Sequence, residues 1–267
     1  MIANDPTRRG LTRRRLAALA GAVVATRAVG ARSARAADPQ PPMTLTQKAA
    51  ALFITSIAGT TLTADETAWL EQWRPGGVIL TGANIGAPDE TRALIAAIHA
   101  TNPARPPLVA TDEEGGPVVR LPDDPAPGAA AMGTMPDAEV ERLSAARAAF
   151  LLNYGIDVNF APVADIAWTP DSAIAGRAFG NDPATVAAKV GAFVRGAVGS
   201  PVATTAKHFP GHGRALVDSH EALPTIDVAA DEWLRTDAVP FQAAIQAGVP
   251  FVMLGHLHYT QWDDLPT

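Results

Sequence analysis

Short apolar runs alternate with longer, helix-like stretches along most of the chain, and that alternation limits the fold more than any other feature. The runs are Leu52–Ile57, Gly77–Leu80, Leu108–Thr111, Asp157–Val163, Val202–Ala206 and Phe251–Leu254. Each reads as a strand. Between them, helical patterns cover Asp89–Ala100, Asp137–Asn153 (just after Pro136), Pro183–Val198 and Asp231–Gln246. A further helix opens near Leu45, with Thr44 or Thr46 as its cap. Strands that alternate with helices form βαβ units, and such units build a parallel sheet. The near-continuous apolar character of the runs fits strands buried on both faces. No Gly-x-Gly-x-x-Gly follows the first strand, so a dinucleotide-binding fold is not supported.

Polar residues gather immediately after the strands: Asp112-Glu113-Glu114, Asp165, Lys207-His208 and His256. A (β/α)8 barrel carries its active residues at that rim. The expected class is therefore α/β, a TIM-type barrel, with about six of the eight units present. One stretch is densest in chemistry. Lys207-His208-Phe209-Pro210-Gly211-His212-Gly213 is followed by Asp218-Ser219-His220, which brings together a cation, three of the six histidines and a carboxylate. Lys207 and His208 are expected where a strand runs out into a loop, and Gly211 and Gly213 suit a sharp or mobile backbone. Asp218 beside His220 can orient the ring and favour its protonated form, which suits a proton donor. A lysine offers three donors to hydroxyls, and Asp112 can accept from two adjacent hydroxyls. From residue types alone, each of these also reads as a solvated or satisfied structural pair. Glu113 and Glu114 read more readily as a cap or solvated turn, and Asp165 as structural. His208, His212, His256 and His258 with a carboxylate could also be arranged as metal ligands. His99 reads as an ordinary surface or packing residue, and Trp69, Trp73 and Trp233 as core.

The stretch from Lys207 to His220 resembles the signature of the family 3 glycoside hydrolases, in their β-N-acetylglucosaminidase (NagZ-like) branch. Asp112-Glu113-Glu114-Gly115-Gly116-Pro117-Val118-Val119-Arg120 is similar to that family's Asp-x-Glu-Gly-Gly-x-Val-x-Arg. Gly176-Arg177-Ala178-Phe179-Gly180 is similar to its Arg-Ser-Phe-Gly, with alanine at 178 as a departure. Asn159–Asp165 resembles its fourth-strand segment. The resemblance implies a retaining exo-β-N-acetylglucosaminidase acting on terminal N-acetylglucosamine, as in peptidoglycan fragments. It implies His220 as acid/base and Asp218 as its partner, with Asp112, Arg120, Arg177, Lys207 and His208 holding the sugar. It implies no cofactor and no metal, and His256 fits the histidine that ends its sixth strand. Other β-glycosidases of the family, or a barrel that binds sugar without hydrolysing it, are the alternatives. The family's nucleophile is an aspartate after a seventh strand, which would fall some tens of residues beyond Thr267. The expectation is thus a C-terminally truncated barrel over 44–267.

The amino terminus reads differently. Thr12-Arg13-Arg14-Arg15-Leu16 precedes an Ala/Val/Gly-rich stretch, and Ala34-Arg35-Ala36 offers small residues for cleavage, so 1–36 is expected to be an export signal of twin-arginine type, the alternative being a basic disordered tail. Arg27 interrupts the apolar run, so stable membrane insertion is not expected. Residues 37–43 form a proline-rich spacer. Eight of the 21 basic residues and one of the 27 acidic ones lie within 1–36, so the rest carries 13 basic against 26 acidic side chains. That balance argues against a nucleic-acid partner. The chain has no cysteine, which excludes disulfides and thiolate metal sites.

Overall fold

The computed structural model describes residues 42–266. The export signal expected over 1–36, and most of the proline-rich spacer, lie outside them. Among the described residues no helix is long and apolar enough to cross a membrane.

Six parallel strands form one sheet, in the order β1-β2-β3-β4-β5-β7. They are β1 (Ile54–Ser56), β2 (Gly77–Leu80), β3 (Leu108–Thr111), β4 (Val158–Asn159), β5 (Ala203–Phe209) and β7 (Phe251–Leu254). Each strand pairs with the next one in the sheet, from Ile54 opposite Gly77 to Thr205 opposite Phe251. That unbroken order is the barrel order, and the sheet is an α/β half-barrel rather than a doubly wound sheet, as the alternation of elements implied. Both edges are open among the described residues, and apolar side chains stand exposed there: Ile54 on β1, and Phe251, Val252 and Leu254 on β7.

The helices are α1 (Leu45–Ala50), α2 (Ala64–Trp73), α3 (Pro88–Ala100), α4 (Ala129–Met132), α5 (Asp137–Tyr154), α6 (Pro183–Ala197), α7 (Ala230–Arg235) and α8 (Ala238–Ala247). Their ends follow from local chemistry. Thr44 and Thr63 each close a reciprocal capping box, with Gln47 and Glu66. Asp182 caps α6 by accepting from Thr185 N, with Pro183 at the first helical position. Gly155 ends α5 at a φ of +91°. One apolar cluster packs Leu94, Ile95, Ile98, Leu151 and Tyr154 of α3 and α5 against Val78, Leu80 and Val109. A second joins Val186, Val190 and Phe193 of α6 to Phe241 of α8 and Ala206 of β5.

Four expectations need correction. The fourth run, read as a strand over Asp157–Val163, pairs regularly only at Val158–Asn159. Pro162 has no amide to give the ladder; its carbonyl accepts from Lys207 N, and Val163 returns as an isolated bridge to Lys207. The fifth strand is longer than expected: it runs through Lys207 and His208 to Phe209, so these two side chains sit on rigid strand and not in a loop. The pattern over Asp231–Gln246 is two helices. A helix running through Thr236 would set the Pro240 ring against the carbonyl four residues back; restarting at Ala238 places Pro240 in a first turn, where its missing amide costs nothing. Thr225–Ile226 (β6) and His258–Tyr259 (β8) form a separate parallel pair with no apolar run to signal it. Trp233 is buried, whereas Trp69 is 45% exposed, so only the former is core.

One side chain ties the outer helices to the rim. Arg147 of α5 is fully buried. It donates to Asp124 Oδ2 at 2.7 Å and to the carbonyls of Glu114, Ala126 and Pro127 at 3.0, 2.6 and 2.9 Å. It thereby closes the segment 114–127 onto the helix layer. Arg147→Ala would leave a buried carboxylate and three carbonyls without their donor, so we expect a loss of about 3–5 kcal/mol of stability by urea unfolding. A loss under about 1 kcal/mol, the size of an exposed ion pair, would contradict this role.

Candidate active site

Because the strands are parallel, the segments that follow them meet at one rim. There, Lys207 Nζ lies 2.6 Å from Asp112 Oδ1 and 2.6 Å from Glu114 Oε1. Arg177, in the short 3-10 turn Ala175–Arg177 after β4, reaches the same Glu114 with two parallel bonds: Nη2 to Oε1 at 2.7 Å and Nε to Oε2 at 2.9 Å. Two cations and two carboxylates thus form one neutral cluster. The Lys207 side chain is 1% exposed and that of Glu114 3%, while Asp112 and Arg177 are 23% and 20% exposed. The inner pair is sealed, and the outer pair opens toward solvent. Burial alone would push the Glu114 carboxyl up, but the Arg177 bond and the Lys207 charge hold it below its usual range. The backbone geometry needs glycine beside it. Gly115 has φ +80°, and a Cβ there would meet Arg147 Nη2 and the Pro127 carbonyl oxygen at 2.3 and 2.8 Å.

A second set lies along the same strand. Asp165, buried after β4, accepts from His208 Nδ1 at 2.8 Å, from His208 N at 3.1 Å and from His212 N at 2.7 Å. With Nδ1 committed to Asp165, the remaining His208 nitrogen, Nε2, is left for a ligand. Burial would raise the Asp165 carboxyl, yet the His208 ring and the amide donors bring it below the usual carboxylate range. Burial pushes His212 down, against the pull of Asp165, which favours its neutral form. The two rings meet edge to face with centroids 5.8 Å apart.

The remaining expected residues are placed apart from the cluster. Asp218 Oδ1 accepts from His220 N at 2.9 Å and from His220 Nδ1 at 2.7 Å, so the dyad is formed, but on an exposed loop: His220 is 85% exposed and Asp218 44%. The amide and ring of His220 hold the Asp218 carboxyl below its usual range. Asp218 is close enough to His212 for the two to interact electrostatically. Arg120 is half-buried; its amide donates to Glu113 Oε2 at 2.9 Å, and its Nε is buried with no hydrogen-bond partner. His256 is exposed, and His258 Nε2 contacts the Asp263 carbonyl at 3.3 Å. Among the described residues no three His, Cys, Asp or Glu side chains converge as a metal site. His99 pairs with Asp157 at 2.9 Å, on another part of the fold.

Sequence reasoning underrated Glu113 and Glu114. Both are buried, and Glu114 is the hub of the cluster. The available signal was Gly115-Gly116 directly after them, which lets the backbone pass close to its neighbours, Pro127 and Gly128.

The sequence pattern of the glycosyl hydrolase family 3 N-terminal domain matches residues 44–267. The chain belongs to glycoside hydrolase family 3. It is 39% identical over 219 residues to a beta-hexosaminidase of Stenotrophomonas maltophilia, covering 79% of this chain and 65% of the relative. A beta-hexosaminidase of Pseudomonas aeruginosa is 38% identical, with 79% and 64% covered. The chain thus spans a little under two thirds of the length of these relatives. Among solved structures, NagZ of Neisseria gonorrhoeae in complex with N-trifluoroacetyl-D-glucosamine aligns with a TM-score of 0.75 at 30% identity, over 80% of this chain and 66% of that one. A family 3 β-N-acetylglucosaminidase of Paenibacillus aligns with a TM-score of 0.79 at 33% identity, over 84% and 44%.

The Asp165 geometry sets a pH dependence. A carboxyl held low in the folded chain contributes stability that is present above the unfolded value near 3.8 and is lost as pH falls through the lower folded value. Asp165→Asn should lower stability at pH 7 by about 1–3 kcal/mol, and the deficit should shrink as the pH drops below about 4. Thermal melts of both proteins from pH 3 to 7 check this; a deficit that is constant across that range contradicts it.

Proposed function

We propose that this chain supplies the sugar-binding rim and the proton-transfer dyad of a retaining exo-β-N-acetylglucosaminidase. The observation that carries the reading is the Asp112–Lys207–Glu114–Arg177 cluster, formed in a chain of family 3. Asp112 and Arg177, the partly exposed members, bond adjacent hydroxyls of a terminal N-acetylglucosamine as acceptor and donor. Lys207 and Glu114 fix them in place, so little reorganisation is needed when sugar arrives. His208, oriented by Asp165, contributes Nε2. Arg120, which the family motif carries at this position, is a further donor to the sugar through its terminal guanidinium nitrogens.

His220 then acts as general acid and later as base. Asp218 binds Nδ1 and orients the ring, so Nε2 carries the proton to the leaving oxygen; in the second step the same nitrogen takes a proton from water. The exposed loop must fold inward over bound sugar for this. The nucleophilic carboxylate that a retaining path also requires is assigned to no residue of this chain. The named relatives support the amino-sugar preference, since two are beta-hexosaminidases and one solved neighbour holds an N-acylated glucosamine. The export leader read in 1–36 suggests a place outside the cytoplasm, where peptidoglycan fragments would be the substrate. A second reading, sugar binding without hydrolysis, is favoured by the exposure of His220 alone.

Calorimetry of this chain with N-acetylglucosamine, and turnover of a nitrophenyl N-acetyl-β-glucosaminide by the chain extended with the downstream segment that carries the nucleophile, separate the two. Asp112→Asn keeps the shape but removes the charge, and should weaken binding by about tenfold or more, the worth of one charged hydrogen bond. Where turnover is seen, His220→Ala should lower kcat by about 10²–10⁴ with little change in KM. Binding without turnover favours the second reading. Absence of binding, or a preference for glucose, contradicts the first.

A further inference from the structure

Glu113 is used by none of the steps above, yet it is one of the most confined ionisable groups in the molecule. Its backbone is pinned from both sides by Asn159 of β4: Glu113 N donates to Oδ1 at 3.1 Å, and Nδ2 donates to the Glu113 carbonyl at 3.0 Å. Its side chain turns away from the rim. Oε2 accepts from Arg120 N at 2.9 Å and Leu121 N at 3.0 Å. Oε1 is buried and has no partner. Asp124 lies near enough to act on it electrostatically, and its own oxygens are taken by Arg147 Nε at 2.7 Å and Ala126 N at 2.9 Å. Two carboxyl groups therefore share one buried space, and a single guanidinium serves only one of them.

A proton on Oε1 resolves this arrangement. The neutral acid donates to Asp124, gives the orphaned oxygen a partner and removes the second negative charge. We propose that Glu113 is a positioning residue that shares a proton with Asp124 and, in its protonated form, holds the segment 113–124 in the shape that presents Arg120. When the proton leaves, two adjacent buried carboxylates repel, and the segment that ends on Asp124 loosens. The other charged and titratable groups around this space are Arg147 and Tyr154 of α5, Asp123 on the loop and Arg92 of α3, which lies 4.9 Å over the Tyr154 ring. Arg147 is already committed to Asp124 and to carbonyls. Consistent with this, burial, opposed by the Leu121 and Arg120 amides and reinforced by Asp124, raises the Glu113 carboxyl to about 7. The consequence for sugar binding rests on the function proposed above; the proton itself does not.

Glu113→Gln mimics the protonated state: its amide nitrogen donates to Asp124, and its oxygen still accepts from the two backbone amides. A carboxyl raised from 4.5 to about 7 contributes stability that is complete below the lower value and is lost as pH rises to the upper one. The melting temperature of Glu113→Gln should therefore exceed that of the wild type by a gap that widens from pH 5 to pH 7 and then levels. Hydrogen exchange of the Arg120–Leu121 amides, corrected for intrinsic rate, should speed up in the wild type relative to the variant by about tenfold at one pH unit above the midpoint, where the protonated fraction is about one in eleven. A constant melting gap overturns the proposal, as does a widening gap with unchanged exchange at these amides. Should the variant fail to fold, a carboxyl-carbon titration of glutamate-labelled wild type decides: one glutamate titrating near neutrality supports the proposal, and all of them near the ordinary ~4.3 overturn it. Loss of N-acetylglucosamine affinity above pH 7 in the wild type alone extends the effect to Arg120. If neither form binds the sugar at any pH, the functional reading falls and the melting and exchange data still judge the proton.

Discussion

Lys207 Nζ, sealed between Asp112 and Glu114, is the contact on which the rest of the rim depends. An ammonium without water is costly by several kcal/mol, and it stays charged in the interior only if opposite charge and hydrogen bonds surround it. Here two carboxylates do so at 2.6 Å each, and Arg177 balances the second of them. Removing any one member leaves the cluster with an unbalanced charge. The cluster therefore forms as a unit, and its formation requires β3, β4 and β5 to be in register. Asp112 and Lys207 are 95 residues apart in sequence. Fold and site are thus one constraint seen from two sides.

Around that unit the molecule grades from rigid to exposed. Lys207 and His208 stand on the longest strand of the sheet, and Asp165 and Glu114 are buried beneath them. Arg147 binds the segment after β3 to the helix layer from the outside. Asp218 and His220 sit on the loop beyond Gly213, joined to each other but turned to solvent. Such a gradient suits a site that grips its ligand with fixed groups and completes itself with a moving one, since loops of low local stability are where motion is cheapest.

Much of the fold was legible because its signals are local. The runs Gly77–Leu80, Leu108–Thr111 and Phe251–Leu254 are strands at the expected residues, and Thr44 caps a helix as side-chain chemistry dictates. The misreadings fall where a distant partner overrides the local pattern. Apolar character continues through Ala161–Val163, yet Pro162 takes that segment off the regular ladder. The helical pattern from Asp231 hides a break, and the reason is Pro240 acting on the turn before it, together with Asp237, which turns inward to Trp168 and Arg214. In the site, residue type and motif brought Asp112, Arg177, Lys207 and His208 to attention. They could not show that Glu114 joins three of those segments, because three adjacent acids look like a solvated turn until the strands on either side are in place. Nor could they show that His220 rests outside the cluster, since loop conformation leaves no periodic trace.

The position of a bound amino sugar is the most direct test of this rim. A crystal structure of the chain soaked with N-acetylglucosamine should show sugar hydroxyls bonded to Asp112 and Arg177, with Lys207 still held between its two carboxylates and the loop of His220 drawn in toward the ring. Sugar bound away from this rim, or bound there with Lys207 displaced from Asp112 and Glu114, would contradict it.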